Sequence, residues 1–249
     1  MKISLCTPCM NRLEYLKETI GINLELIKEF NINNDNKFEL SLCDYDSKDG
    51  LYEYIKDDFS EFIDSGILIY TKVNNKEYFN VSHAKNIAHK YSTGDVLINL
   101  DGDNYLRMEI LDYYNMIFNS NNIHNIYLCD TNCIGLIGLS RINFYTLGGY
   151  NEEMVGYGFE DVDLMNRLEF YLKCDKKLLP SKFNYNQTCV LHQFNSEKIK
   201  NYKKEINGVP YITIEQSMEY NRNIMAIYFD RNIMNPNQFN GIKFGEYKK

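Results

Sequence analysis

The sequence predicts an α/β fold: a mostly parallel central sheet flanked by helices, in a single domain. Three observations predict it. Short apolar runs alternate with longer amphipathic stretches through the first hundred residues, which is the pattern of stacked βαβ units. Polar residues follow directly after those runs, where loops and helix N-termini gather at the carboxyl ends of parallel strands. The chain has 249 residues, 44% of them hydrophobic, and no Pro/Ser-rich linker divides it, so it can bury one large core.

Taken in order, Ile3 to Cys6 reads as the first strand. Asn11 to Phe30 reads as a helix, with Leu13, Leu16, Ile20, Leu24 and Ile27 on one face. Phe38 to Cys43 is a second strand, Gly50 to Phe62 a helix, Ile67 to Thr71 a third strand and Ser82 to Tyr91 a further helix. Val96 to Leu100 is a fourth strand, apolar enough to be central. After Asn119 come apolar segments at Ile126 to Cys129 and Ile134 to Leu139, a glycine-rich stretch, and an acidic helix start near Glu160 that continues through Leu164, Leu168 and Leu172. The chain is polar from Asn195 onward, with one helix expected from Thr213 to about Phe229 and an Asn/Lys-rich tail that should wrap the domain or fray. The expected division is residues 1–195 as the α/β domain, in halves 1–119 and 120–195, followed by a helical extension over 196–249.

Composition narrows the function. Thirty-four acidic against 27 basic residues give a net charge of −7, which argues against nucleic acid as the main ligand. No apolar run approaches the roughly 20 residues of a membrane span, and no basic start leads into an apolar stretch, so neither a transmembrane segment nor an export signal is expected. Seven cysteines, an odd number scattered through apolar segments, fit a reducing compartment, and the expected location is the cytoplasm. Cys6-Thr7-Pro8-Cys9 has the spacing of a redox dithiol, but the chain around it is too long and differently ordered for that fold; no second cysteine pair stands at zinc-ligand spacing.

Two constellations carry chemistry. Asp101-Gly102-Asp103 follows the apolar run Val96 to Leu100; two carboxylates flanking a glycine at a strand end can hold a hard divalent cation, Mg²⁺ or Mn²⁺, while the glycine admits a diphosphate to the backbone. Asp-Gly-Asp-Asn is equally a turn sequence. The second is Gly148-Gly149-Tyr150-Asn151-Glu152, then Gly156-Tyr157-Gly158-Phe159-Glu160-Asp161-Val162-Asp163. Acidic residues there would also cap a helix and complement its dipole, yet three carboxylates in four residues exceed what a cap requires.

The order of Ser4-Leu5-Cys6-Thr7-Pro8, Asp44-Tyr45-Asp46-Ser47, Ala84-Lys85-Asn86-Ile87-Ala88, Asp101-Gly102-Asp103 and Leu147 through Leu164 resembles glycosyltransferases of the GT-A fold over roughly residues 2–195. It looks like family 2, with a second half similar to the galactosyltransferase region of the β-1,4-galactosyltransferases and chondroitin polymerases. The resemblance implies a nucleotide pocket of Thr7, Pro8, Asn11, Arg12, Asp44 and Asp46, with Lys85, Asn86 and Gly102 near the donor. It implies a cation on Asp101 and Asp103, with His192 as a further ligand, although a histidine beside apolar neighbours also fits a structural role. It implies inversion with Asp161 as general base, Glu160 holding acceptor hydroxyls, and Gly149, Tyr157 and Gly158 on the acceptor side. The donor implied is a nucleotide sugar, UDP-hexose or UDP-N-acetylhexosamine, and the acceptor a glycan, glycolipid or protein.

Two departures stand out. Tyr157 occupies a position where such relatives usually carry Trp, and the chain has no Trp. Lys85 replaces the usual Arg, losing bidentate geometry. The alternatives are a sugar-phosphate nucleotidyltransferase and an inactive sugar-nucleotide or glycan-binding protein. The first generally needs a glycine-rich basic loop after the first strand, and residues 7–12 contain no glycine and one basic residue. The joint presence of Asp101, Asp103, Glu160 and Asp161 argues against the second.

Overall fold

Strand β1 (Lys2–Cys9) lies inside the sheet and sets its frame. It pairs in parallel with β2 (Lys37–Tyr45) along its whole length, from Lys2↔Lys37 to Cys9↔Asp44, and with β4 (Val96–Asn99) as far as Cys6↔Asn99. Pro8 lies beyond that second ladder, where a missing N–H breaks nothing. β2 carries β3 (Leu68–Val73) in parallel on its far side. The structure is a computed structural model that describes residues 1–119, 122–130, 135–180, 183, 202, 205–206, 209–210 and 213–239.

Past β4 the sheet becomes mixed. β6 (Ile137–Ser140) runs antiparallel between β4 and β5 (Ile126–Cys129), and β7 (Asp175–Leu178) adds in parallel to β5, giving the order β3-β2-β1-β4-β6-β5-β7. Four of the six pairings are parallel, so the expected mostly parallel sheet is what forms.

Strand alternation sorts the apolar side chains into two layers. Ile3, Leu5, Phe38, Leu40, Leu42, Val96, Ile98 and Leu128 face one core, with Leu16, Ile20, Leu24 and Ile27 of α1 (Leu13–Asn33) packed on it. Cys6, Cys43, Tyr45, Leu97, Tyr127 and Cys129 face the other, covered by Ala84, Ile87 and Ala88 of α4 (Val81–Tyr91) and by Leu164 and Leu168 of α7 (Glu160–Tyr171). The architecture is thus three layers, helix on sheet on helix, with the polar strand ends of β1, β2 and β4 opening on one edge.

The helix expected over 50–62 is two: α2 (Leu51–Asp58) and α3 (Ser60–Asp64), parted at Phe59, whose φ of −129° lets its ring enter the core beside Phe62. α5 (Met108–Phe118) buries Ile110, Leu111, Tyr114 and Phe118 and stands where the sequence reading placed no element. β7 is Asp-Lys-Lys-Leu, a charged edge strand with no apolar pattern to betray it. α6 (Arg141–Thr146) follows β6 directly under the cap of Ser140.

A small hairpin, β8 (Glu205–Ile206) with β9 (Val209–Pro210), precedes α8 (Ile214–Asp230), whose start is fixed by a capping box between Thr213 and Gln216. α8 packs onto the 153–158 loop: Ser217 Oγ donates to the Val155 carbonyl, Asn221 Nδ2 to Val155 and Gly158, and the Tyr228 hydroxyl to Glu153. Asn237 of α9 (Pro236–Phe239) donates to the carbonyls of Gly148 and Tyr150. This part of the tail therefore wraps the domain. Among the described residues no helix is long and apolar enough to cross a membrane.

Candidate active site

The loops after β1 and β2 are stitched to each other. Asn11, with a left-handed φ of 52°, donates its N–H to Ser47 Oγ at 3.1 Å and accepts from the Lys48 N–H at 2.7 Å. Asp44 is fully buried at the end of β2, its carboxylate accepting from the Ser47 N–H at 2.8 Å and from the Tyr70 hydroxyl at 2.6 Å. Asp46, also at positive φ (60°), accepts from Lys48 Nζ and from the Lys76 N–H at 2.8 Å. Burial would raise its carboxyl, but these contacts outweigh it and hold it below the usual range.

The turn after β4 is anchored from beneath by α1. The Thr7 hydroxyl donates to the Leu100 carbonyl at 2.8 Å, that of Thr19 to the Gly102 carbonyl, and Asn23 bridges the Asn104 carbonyl and the Leu106 N–H. A Cβ on Gly102 would stand 3.3 Å from Leu16 and 3.5 Å from Thr7, so the turn sits in close contact with the helix. The sequence reading missed Thr19 and Asn23. Their signal was available, as two polar residues four apart interrupting an otherwise apolar face.

Asp103 is buried, with Arg12 Nη2 3.9 Å from its Oδ2, and the same guanidinium lies 4.0 Å over the Tyr15 ring. Asp101 accepts from Asn99 Nδ2 at 3.2 Å. A Cβ placed on Gly135 would lie 3.6 Å from Asp101 Oδ2 and 3.5 Å from Asp161 Oδ2, so the β4 turn and the start of α7 present carboxylates to the same spot.

α7 begins at Phe159, held at φ 73° with no side-chain cap, and its first turn carries Glu160, Asp161 and Asp163. The three are used differently. Asp163 is fully buried against Arg167, whose guanidinium also donates to the carbonyls of Leu147 and Gly149 at 2.9 and 2.8 Å. Burial raises the Asp163 carboxyl in spite of that partner. Glu160 and Asp161 share Lys85, whose Nζ is 3.0 Å from Glu160 Oε1 and 2.6 Å from Asp161 Oδ1. Burial raises both carboxyls. For Glu160 the Lys85 ammonium outweighs burial and its pKa falls, whereas Asp161 stays well above the usual range because Glu160 and Asp101 add to burial. Glu160 Oε2 is buried without a partner in the described structure, as is the hydroxyl of Tyr150, whose ring lies 4.9 Å from Lys85 Nζ.

Asn86, expected near the donor, spends its amide on the glycine-rich loop. Nδ2 donates to the Tyr150 carbonyl and to Glu152 Oε1, and Oδ1 accepts from the Tyr150 N–H at 2.8 Å. Gly149, at φ 70°, passes so close that an added Cβ would stand 2.4 Å from that oxygen. Gly158, at φ 86°, leads into α7 beneath Met218. The Tyr157 N–H donates to Ser217 Oγ at 2.8 Å, and its ring meets Tyr202 edge-on at 6.3 Å.

The fold thus gathers Lys85, Asp101, Tyr157, Glu160 and Asp161 at one place and sets Arg12 beside Asp103, while Thr7 and Gly102 form the floor of the turn. His192 lies outside the described residues, and among those described no group of three His, Cys, Asp or Glu forms a metal cluster. Asp101 and Asp103 nevertheless supply two hard carboxylates on one short turn, donors of the kind Mn²⁺ and Mg²⁺ take. Cys9, whose thiol burial pushes up to about 12, and Cys6, pushed higher still, are the opposite of a reactive dithiol.

Residues 4–117 match the family model described as glycosyl transferase family 2, and residues 115–190 match the one described as the N-terminal domain of galactosyltransferase. No curated protein matches the sequence. Among solved structures, TarS of S. aureus is similar at 16% identity and a TM-score of 0.55, over 72% of this chain and 58% of that one. The mannosyltransferase PcManGT from Pyrobaculum calidifontis, in complex with GDP-Man and Mn²⁺, aligns at 15% identity and TM-score 0.57, over 72% of this chain and 54% of that one. A Drosophila β-1,4-galactosyltransferase 7 mutant, in complex with manganese, UDP-Gal and xylobiose, aligns at 13% and 0.54, over 87% and 79%. The chain spans a little over half the length of the first two, and at these identities the likeness is one of fold.

Proposed function

We propose a reaction for this GT-A glycosyltransferase domain, in which a family 2 segment is joined to a galactosyltransferase-type segment: transfer of a sugar, with inversion, from a UDP-hexose or UDP-N-acetylhexosamine to a hydroxyl of a glycan, glycolipid or protein. One observation carries it, the convergence of Asp161 and Asp101 on Gly135 from opposite elements. That arrangement sets a candidate base across from the carboxylates of the diphosphate side. In this reading residues 1–119 bind the donor, 120–195 the acceptor, and 196–249 form an extension whose helix α8 backs the acceptor loop.

Asp161 takes the proton of the attacking hydroxyl on its Oδ2, the oxygen turned away from Lys85. Its raised pKa makes it a stronger proton acceptor than an ordinary carboxylate. Glu160, with one buried oxygen unpartnered, accepts a neighbouring acceptor hydroxyl, and the Tyr157 ring offers an apolar face to a pyranose. Thr7, Pro8, Asn11, Arg12, Asp44 and Asp46 border the nucleotide. Asp101 and Asp103, with His192, would hold Mn²⁺ or Mg²⁺, which when bound offsets the charge developing on the departing nucleoside diphosphate. Two carboxylates on the one turn of residues 101–103 support metal dependence. Among the described residues five buried free thiols support a reducing location.

The test is calorimetric titration of UDP, GDP and UDP-sugars, each with and without Mn²⁺, into wild type and Asp103→Ala. The expected result is Mn²⁺-dependent binding of uridine nucleotides, weakened on the order of 10- to 100-fold in the variant. Binding in neither condition would leave only a shared fold, and pyrophosphate release from a nucleoside triphosphate would replace transfer by nucleotidyl transfer.

A further inference from the structure

Lys85 was expected at the donor, yet its ammonium sits on the base. Nζ is 2.6 Å from Asp161 and 3.0 Å from Glu160, with the side chain 4% exposed. The Tyr150 ring lies 4.9 Å from it, and Asp101, on the β4 turn, is also among the charges it feels. A carboxylate gripped by an ammonium is a poor proton acceptor, because the partner stabilises the very charge that protonation would remove. In the free protein Lys85 thus works against the burial and the Glu160 and Asp101 charges that raise Asp161, and holds its basicity below what they alone would give. A lysine can exchange such partners for another anion, since its charge is a point on a flexible stem, whereas the arginine usual at this position would be fixed by its fork.

We propose that Lys85 is a positioning residue with two successive partners: Asp161 and Glu160 in the free protein, and the diphosphate of the donor once it is bound, so that donor entry releases Asp161 to accept the acceptor's proton. The inference rests on the functional reading above. It makes donor binding precede acceptor activation, and it places the cation on the leaving group when negative charge develops there.

The hand-over implies competition between Asp161 and the diphosphate for one ammonium, which a double-mutant cycle on nucleotide binding measures. The probe is UDP with Mn²⁺, titrated into wild type, Asp161→Asn, Lys85→Met and the double variant, with melting temperatures confirming folded protein. Asp161→Asn should bind UDP about tenfold more tightly than wild type, because Lys85, left with Glu160 alone, is more readily drawn to the diphosphate. In the Lys85→Met background the same change should give less than about a third of that gain. An equal gain in both backgrounds would mean simple removal of a repelling charge, and no gain in wild type would mean that Lys85 never leaves the carboxylates; either result overturns the hand-over. If Lys85→Met does not fold, Lys85→Arg replaces it: its fork should stay on Glu160 when Asp161 is changed and abolish the gain, and a gain as large as with Lys85 overturns the proposal. If UDP with Mn²⁺ does not bind wild type at all, the functional reading fails and the inference falls with it. Binding with an additive cycle sinks the inference alone.

Discussion

The two acidic clusters of this molecule are built on opposite plans. Asp101 and Asp103 ride a turn tied down through its backbone by Thr7, Thr19 and Asn23, with the Arg12 guanidinium 3.9 Å from Asp103. Glu160, Asp161 and Asp163 start a helix and are met by buried cations at 3.0, 2.6 and 2.6 Å. The first cluster is held through its backbone by uncharged side chains. The second is neutralised in advance by Lys85 and Arg167. Arg167 is locked to two loop carbonyls and is structural, whereas Lys85 carries no such lock.

The comparison breaks first at Asp161. If its carboxylate is the base, Asp161→Asn should lower transfer by about 10²- to 10⁴-fold while UDP binding with Mn²⁺ persists. Turnover within about threefold of wild type would move the base elsewhere and leave the second cluster purely structural. The same variant should melt at a higher temperature than wild type at pH 7. A carboxyl whose folded pKa is raised favours folding below its unfolded pKa and loses that contribution as pH climbs through the folded value, so removing the charge relieves a strain present at neutrality.

Burial raises Asp163 as well, but its removal should act in the opposite sense, because Lys85 keeps Glu160 when Asp161 is changed whereas Arg167 pairs with Asp163 alone among the described carboxylates. Asp163→Ala leaves the Arg167 guanidinium buried without its carboxylate, at a cost of about 3–5 kcal/mol. Chemical denaturation would reveal it as a lowered midpoint. A change under about 1 kcal/mol would contradict the structural role.

Much of this was legible in the sequence because apolar runs and their polar sequels are local signals. The strands from β1 to β6 lie within a few residues of the runs that announced them, and α8 was expected almost to its cap. Family motifs placed Glu160, Asp161, Asp101 and Lys85, and the fold brings these four together. What stayed hidden depends on partners distant in sequence. Nothing near Asn86 says that its amide will be consumed by Tyr150 and Glu152, more than 60 residues away. Asp163 reads as one of three equivalent acids until Arg167 claims it. β7 was invisible because an edge strand needs no apolar alternation, and α2 and α3 were read as one helix because Phe59 looks like any other apolar position until its ring finds the core.

A further effect lies one turn beyond Lys85 on α4, where the second cluster meets the core. His89 is fully buried, its ring stacked on Phe144 at 4.8 Å, its Nδ1–H donating to the Lys85 carbonyl at 2.7 Å, and its Nε2 without a partner in the described structure. Burial is the first cause of a pKa lowered to about 3, and the Lys85 and Arg141 cations add to it against the raising effect of the Lys85 carbonyl. The folded value lies below the unfolded one, so the neutral ring's contribution is complete above about pH 6.5 and is lost as pH falls toward 3. Stability should therefore fall by about 1.4 kcal/mol per pH unit through that window on account of this one group. In His89→Gln, whose side-chain amide can still donate to the Lys85 carbonyl, the acid limb of denaturation midpoint against pH should flatten by about one proton. An unchanged slope would mean that the ring is protonated within the fold. A charge would then stand beside Lys85, and the second cluster would hold more positive charge than its geometry implies.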